Sequence, residues 1–290
     1  MCLYEEAHGV DASHPIFQGP IPVTPTLHAM ETPAHYRRHP DGRDLGPTMP
    51  AWRVHRGECS QYIGVVADGH GFEDSPDAEW IASGRNSKNH RAAALARQGT
   101  FFHWGFAASP PEMTEEARAV FLNTLVYMQR FDGHPPLAVG EGRSREWLRV
   151  YVANGAPSAY AKKQLPEAWL AAAGDDPDAL AALCDAELGH VRHVDGRWQV
   201  DADCEALGID NREVAGLRRC VELLDDQDHG DAARRVLERY TGESFADAAA
   251  WRRWLDGCGD RLFHSDRVGM FAVAPADLPA PHRAERVSWR

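Results

Sequence analysis

Eight prolines fall within the first fifty residues (Pro15, Pro20, Pro22, Pro25, Pro33, Pro40, Pro47 and Pro50), and no other feature of the sequence restricts the fold as strongly. Proline has no amide proton and its ring clashes with the preceding helical turn, so a long helix is excluded here and central strands are broken. Residues 23–28 alone have strand character, and Pro25 among them places that run at a sheet edge. The expectation for residues 1–50 is loops and edges. Domains more often open on a core element, which leads to the further expectation that a preceding part of the domain is missing.

Core elements are expected next. Residues 51–56 and 62–67 are β-rich runs around a Gly-containing turn, expected as neighbouring strands. Residues 68–89 carry Asp68-Gly69, Ser75-Pro76 and Ser83-Gly84 and are expected to form a polar loop. Residues 92–96 and 100–104 flank the turn at Arg97-Gln98-Gly99 as two short strands. Thr114 is a suitable N-cap for a helix opening with Glu115 and Glu116, whose charges suit the positive end of its dipole. Ala117, Val120, Phe121, Thr124, Leu125 and Met128 recur at helical spacing and give that helix its buried face. Asp132-Gly133-His134-Pro135-Pro136 ends it and is the best domain boundary in the chain.

The remainder has mainly helical periodicity. Asp176-Pro177 is an N-cap followed by proline at the first helical position, opening a helix to about residue 188. Asp195-Gly196 between two β-like arms marks a hairpin. Val214, Leu217, Val221 and Leu224 mark one later helix; Ala233, Val236, Leu237 and Tyr240 mark another. Trp251, Trp254 and Leu255 mark a third and are expected as core anchors. Residues 262–264 and 270–273 form a last β-like pair.

Acidic residues outnumber basic ones, 43 to 31, for a net charge of −12. That balance repels phosphate backbones and anionic lipid, so neither nucleic acid nor a membrane surface is an expected partner. No run approaches the roughly 18 apolar residues of a membrane-spanning helix. The N-terminus lacks the basic start and apolar stretch of a signal peptide. A cytoplasmic location is the expectation. The six cysteines (Cys2, Cys59, Cys184, Cys204, Cys220 and Cys258) are far apart and include no C-x-x-C pair, so they are expected as small buried residues rather than a disulfide framework.

The segment Ser13-His14-Pro15-Ile16-Phe17-Gln18-Gly19-Pro20 resembles the HP-I-x-x-G segment of ThuA-like proteins, relatives of the class I glutamine amidotransferases associated with sugar utilisation. Asp74-Ser75-Pro76-Asp77-Ala78-Glu79, with Ser83-Gly84-x-Asn86-x-Lys88, resembles an uncharacterised bacterial branch of that family. The most specific match is Arg97-Gln98-Gly99-Thr100-Phe101-Phe102-His103-Trp104-Gly105-Phe106. The second half is similar to a helical extension carried by such proteins.

The resemblance implies an α/β region over 1–133, an incomplete flavodoxin-like, amidotransferase-type sheet with helices on both faces. A linker over 134–145, a mainly α-helical domain with small β-hairpins over 146–275 and a tail over 276–290 complete the expected organisation. His103 falls near the family's catalytic His. The acidic partner expected two residues later is replaced by Gly105, and neither Cys2 nor Cys59 lies in a nucleophile-turn setting, so glutamine hydrolysis is not expected.

Asp74, Asp77, Glu79, Ser83, Asn86 and Lys88 crowd one stretch expected near a sheet end, where α/β folds bind ligands. The functional reading is a pocket for a small polar, sugar-like ligand, with Trp104 stacking on a sugar face and His103 as the catalytic candidate. The alternative is that Asp and Ser cap turns, Lys88 is solvated and His103 bonds a backbone carbonyl. His70 beside Asp74, and Cys184, His190, His193 and Cys204, are metal-ligand types, but their spacing assigns no metal site, and no cofactor is expected. His264-Ser265-Asp266 contains the residue types of a hydrolase triad yet reads as a turn. Three roles follow: a catalytically silent ligand-binding or accessory protein, an enzyme on sugar-derived substrates using the polar loop and His103, and a scaffold or homo-oligomer pairing through an open sheet edge.

Overall fold

The computed structural model describes residues 2–57, 64–140, 142–153 and 155–283. The chain divides into two compact units, Met1–Leu137 with Leu278–Arg290, and Ala138–Asp277.

The first unit runs β1 (Cys2–His8), α1 (Pro15–Gln18), β2 (Leu27–Glu31), β3 (Thr48–Arg53), β4 (Gly64–Val65), β5 (Ala78–Asn86), β6 (Ala93–Gln98), β7 (Phe101–Trp104) and α2 (Glu115–Met128). Among the described residues the strands form one sheet in the order β2-β3-β1-β5-β6-β7, with β4 also on β1. Every pairing in it is antiparallel. A flavodoxin-like sheet is parallel, so the expected sheet type is corrected here to an antiparallel one. The connections explain it. Only residues 87–92 join β5 to β6, and residues 99–100 join β6 to β7, with Gly99 at φ 52°. A parallel crossover needs a dozen residues or more.

Two core strands lie where loops were expected. β1, in the proline-rich opening, is central, paired with β3 and β4 along one edge and β5 along the other. β5, within the supposed polar loop, is nine residues long and paired on both sides. Both hide from a hydropathy reading because their buried faces include Glu5, Glu6, His8, Glu79, Ser83 and Asn86. The expected strand at 23–28 forms instead at Leu27–Glu31, past Pro25, and it is an edge strand. β3 and β4 each pair with β1 rather than with one another; residues 62–63 of the expected second strand, and Cys59, lie outside the described residues.

One face of the sheet carries α1 and α2, joined in a core of Leu3, Ile16, Trp52, Ile81, Val120 and Phe131 among others. Alternation along β3 sends Ala51 to the opposite face, where Met30, Tyr36, Leu45 and Met49 gather. That face is covered by short 3-10 turns at Ala34–Arg38 and Pro40–Gly42, the form left to a segment containing Pro33 and Pro40. Thr114 caps α2 as expected, its hydroxyl accepting from the Ala117 amide. Ala117, Val120 and Thr124 of α2 are buried as expected, but Asn123 and Tyr127 are also inside and Leu125 is 55% exposed. The Asn123 amide decides this: it donates to the Ile16 and Ile21 carbonyls at 2.8 and 2.7 Å and accepts from the Ile21 amide at 2.9 Å.

The second unit is mainly helical: α3 (Glu146–Val152), α4 (Ala159–Gln164), α5 (Glu167–Ala173), α6 (Pro177–Glu187), β8 (Val191–Val194), β9 (Arg197–Val200), α7 (Ala202–Leu207), α8 (Val214–Leu223), α9 (Gly230–Thr241), α10 (Ala248–Cys258), β10 (Leu262–Ser265) and β11 (Met270–Val273). Asp176 caps α6, and Asp195-Gly196, both at positive φ, turn the β8–β9 hairpin as the sequence predicts. Two apolar clusters support the unit, one around Leu148, Trp169 and Trp198, the other around Leu217, Leu237 and Trp251. Trp251 is fully buried, whereas Trp254 packs at the rim of the same cluster. No helix among the described residues is long and apolar enough to cross a membrane.

Candidate functional site

Glu79, near the start of β5, is the centre of a buried polar group in the first unit. It stands directly across from Arg97 on β6, whose Nε donates to Glu79 Oε2 at 2.6 Å. The Tyr127 hydroxyl, from α2, donates at 2.8 and 3.0 Å. His14 Nε2 lies 3.3 Å away, and the His282 backbone amide donates at 2.7 Å. His14 Nδ1 accepts from the Ile16 amide at 3.3 Å, so its proton is placed on Nε2, facing Glu79. Arg97 also donates to the Gly99 carbonyl at 3.0 Å and stacks its guanidinium 3.6 Å from the centre of the Phe131 ring.

Both charges are 1% exposed. A buried ion pair is favoured when its remaining lone pairs and protons are also met; these donors meet those of Glu79, while Arg97 Nη2 is buried without a hydrogen-bond partner. Burial alone pushes the Glu79 carboxyl upward, but the hydrogen bonds from His14 and Arg97 outweigh it and hold the group at about 2. Burial lowers His14 below its ordinary range against the pull of Glu79. At neutral pH the centre is therefore a carboxylate facing a guanidinium and a neutral imidazole.

Asp11, Ser13 and His282 lie beside this group. Ser13 Oγ donates to Asp11 Oδ1 at 2.5 Å and lies 3.2 Å from His282 Nε2, while Asp11 Oδ2 is 3.1 Å from the same Nε2. A serine relay requires serine and carboxylate on opposite ring nitrogens. Here both meet one nitrogen, so the arrangement fastens His282 and does not activate Ser13.

The residues singled out in the sequence are not gathered into one pocket. Glu79 and Asn86 lie seven residues apart along β5, about 20 Å at the usual strand rise. Asp77 accepts from the Leu137 amide at 2.9 Å and from the Ser75 hydroxyl, closing a turn. Asn86 brackets the 86–89 turn, its Oδ1 accepting from the Lys88 and Asn89 amides at 2.7 and 3.1 Å and its Nδ2 donating to the Asn89 carbonyl at 2.7 Å. Ser83 is buried, and Asp74 and Lys88 are exposed. His103 Nε2 donates to the Val65 carbonyl at 3.1 Å, and burial lowers its pKa. Trp104 packs edge-on against Phe121, with ring centres 5.1 Å apart, and against Phe106, as part of the core.

In the second unit His190 pairs with Glu187 at 2.8 Å, and Cys184 and Cys204 sit in different apolar clusters. Burial pushes both thiols up to about 12. Among the described residues no three or more His, Cys, Asp or Glu side chains are grouped to hold a metal ion. Asp266 is turned toward Arg145, whose Nε is 2.8 Å away, and lies 3.7 Å from His264.

His14, Arg97, Tyr127 and His282 were not candidates from sequence. One signal was available: Arg97 is the one charged residue of the apolar β6 run. Comparison with protein-family models, curated proteins and solved structures gives no significant match.

Proposed function

We propose that this chain is a non-catalytic ligand-binding or accessory protein, its ligand a small polar molecule of carbohydrate type. The observation that carries the reading is the setting of His103. Its ring proton is given to a backbone carbonyl, and Gly105, where the amidotransferase pattern has its acid, admits no side chain. A Cβ there would collide with the Val65 carbonyl oxygen and stand 3.0 Å from that of Ala94. Glu79 supports the same reading, since an acid or base serves best near the working pH, and this carboxyl is held at about 2 with its oxygens already engaged.

The test is a glutaminase assay on the full chain together with melting curves in rising concentrations of neutral mono- and disaccharides. The expected outcome is no ammonia release and a saturable rise in Tm. Glutamine turnover that vanishes in His103→Ala, with folding intact, would overturn the non-catalytic reading; flat melting curves would remove the sugar ligand. A scaffold reading draws on the edge strands, where Leu27 on β2 and Phe101 on β7 are 53% and 63% exposed. A defined oligomer in sedimentation would favour it.

A further inference from the structure

The second unit holds a cleft of about 110 Å³, lined by Arg145, Arg192, Trp198, Arg239, Tyr240 and Asp266 among others. Its volume is several times the ~10–15 Å³ that one buried water needs. Three guanidinium groups meet one carboxylate on its wall, in a chain whose overall charge is −12.

The three arginines are not equivalent. Arg239 is committed: its Nη1 donates to both Asp201 oxygens at 2.7 and 2.6 Å and its Nη2 to Asp203 at 2.8 Å. Arg145 is also committed, to Asp266 at 2.8 Å, to the Leu188 carbonyl at 3.0 Å and to Asn211 at 2.7 Å, with its guanidinium 5.8 Å from the centre of the Trp198 ring. Arg192 is different. Its carboxylate contact is Asp201 Oδ2 at 3.8 Å, and its Nε, like that of Arg145, is buried with no hydrogen-bond partner.

Asp201 has little left to offer it. Besides Arg239, it accepts from the Tyr240 hydroxyl at 2.8 Å and caps α7 through the Asp203 and Cys204 amides. Tyr240 in turn accepts from Asn211 at 2.7 Å, so its hydroxyl is spent on the wall. A buried guanidinium donor without an acceptor is costly, and the planar fork of arginine matches the paired oxygens of a carboxylate or phosphate.

We propose that this cleft binds a small oxyanion, the carboxylate or phosphate group of a metabolite, with Arg192 as the residue that grips it and Arg145 and Arg239 as fixed positive walls. The proposal rests on the ligand-binding reading above but not on the first unit. It gives the ligand a charge that a neutral sugar lacks.

Calorimetric titration of the full chain at constant ionic strength tests it, with inorganic phosphate, malonate and a neutral disaccharide as separate probes. Saturable binding of phosphate or malonate is expected, weakened roughly tenfold or more in Arg192→Gln, since a hydrogen bond to a charged group carries about that much. Preference for phosphate over malonate, or the reverse, tells which oxyanion the site was built for. Arg192 is 38% exposed, so the variant is expected to keep the parent melting temperature. Arg192→Lys is the second variant, and it should recover only part of the affinity because it keeps the charge without the fork. No saturable binding of either anion, or equal affinity in Arg192→Gln, overturns the site. Disaccharide binding without binding of either anion would overturn the site while leaving the general ligand-binding reading standing; silence from all three probes would end both.

Discussion

The two units bury charge in different settings, one enclosed and one beside a cleft. In the first, Glu79 receives Arg97, Tyr127, His14 and the His282 amide, and its oxygens are engaged by the protein. In the second, Asp201 and Asp266 hold Arg239 and Arg145, and Arg192 is left facing a cleft with a buried donor unmet. The first arrangement spends its carboxylate on holding strand, helix and the segment at residue 282 together, and it encloses Arg97 Nη2 without a partner. The second leaves its unmet donor at a cleft, and surplus hydrogen-bonding capacity in a cleft is what recognition requires.

That contrast breaks first if Glu79 is not a keystone. Glu79→Ala leaves the Arg97 guanidinium buried without its counter-charge and should cost about 3–5 kcal/mol in denaturant unfolding. A loss under about 1 kcal/mol would mean that the network is dispensable, and the distinction between the units would go with it. In the helical unit the corresponding support is apolar. Trp251→Ala should cost about 3–4 kcal/mol, and Trp254→Ala, at the rim, clearly less. Equal losses would say that both indoles share the core.

Acid sharpens the comparison further. Glu79 is held at about 2, below its ordinary 4.5, so its contribution is complete above the ordinary value and is lost as pH falls toward 2. His8, driven by burial from 6.5 to about 3, also resists protonation in the folded state, so stability is full above about 6.5 and falls below it. His264 in the second unit is lowered to about 4 by burial, with the same sign. Midpoints of urea unfolding should therefore fall steadily from pH 6.5 downward and more steeply below 4.5. A flat profile from pH 7 to 4 would show that these groups do not differ between folded and unfolded chains.

Elements whose cause is local were legible in the sequence. Thr114 before two glutamates, Asp176 before Pro177, and Asp195-Gly196 between β-like arms each act within a few residues, and each does in the fold what its chemistry predicts. β1 and β5 were not legible, because a buried Glu or His has a partner that hydropathy does not see. The four donors of Glu79 lie 18, 48, 65 and 203 residues away. The polar residues at 74–88 are close in sequence but not in space. An extended strand carries Glu79 and Asn86 to opposite ends of itself. Arg192 escaped notice because what distinguishes it is an acceptor it lacks, and that emerges only once Arg239 and Tyr240 have claimed Asp201.

The bond from the His282 amide to Glu79 sets an order of events in synthesis. The first unit holds residues 1–137 and takes back the chain at residue 278, with the 140 residues 138–277 emerging in between. At about 5–20 residues per second, the early sheet waits roughly 7–30 s for its last donor. During that interval the Glu79 carboxylate is one hydrogen bond short, so the unit that emerges before residue 138 is finished only after the one that follows it has emerged.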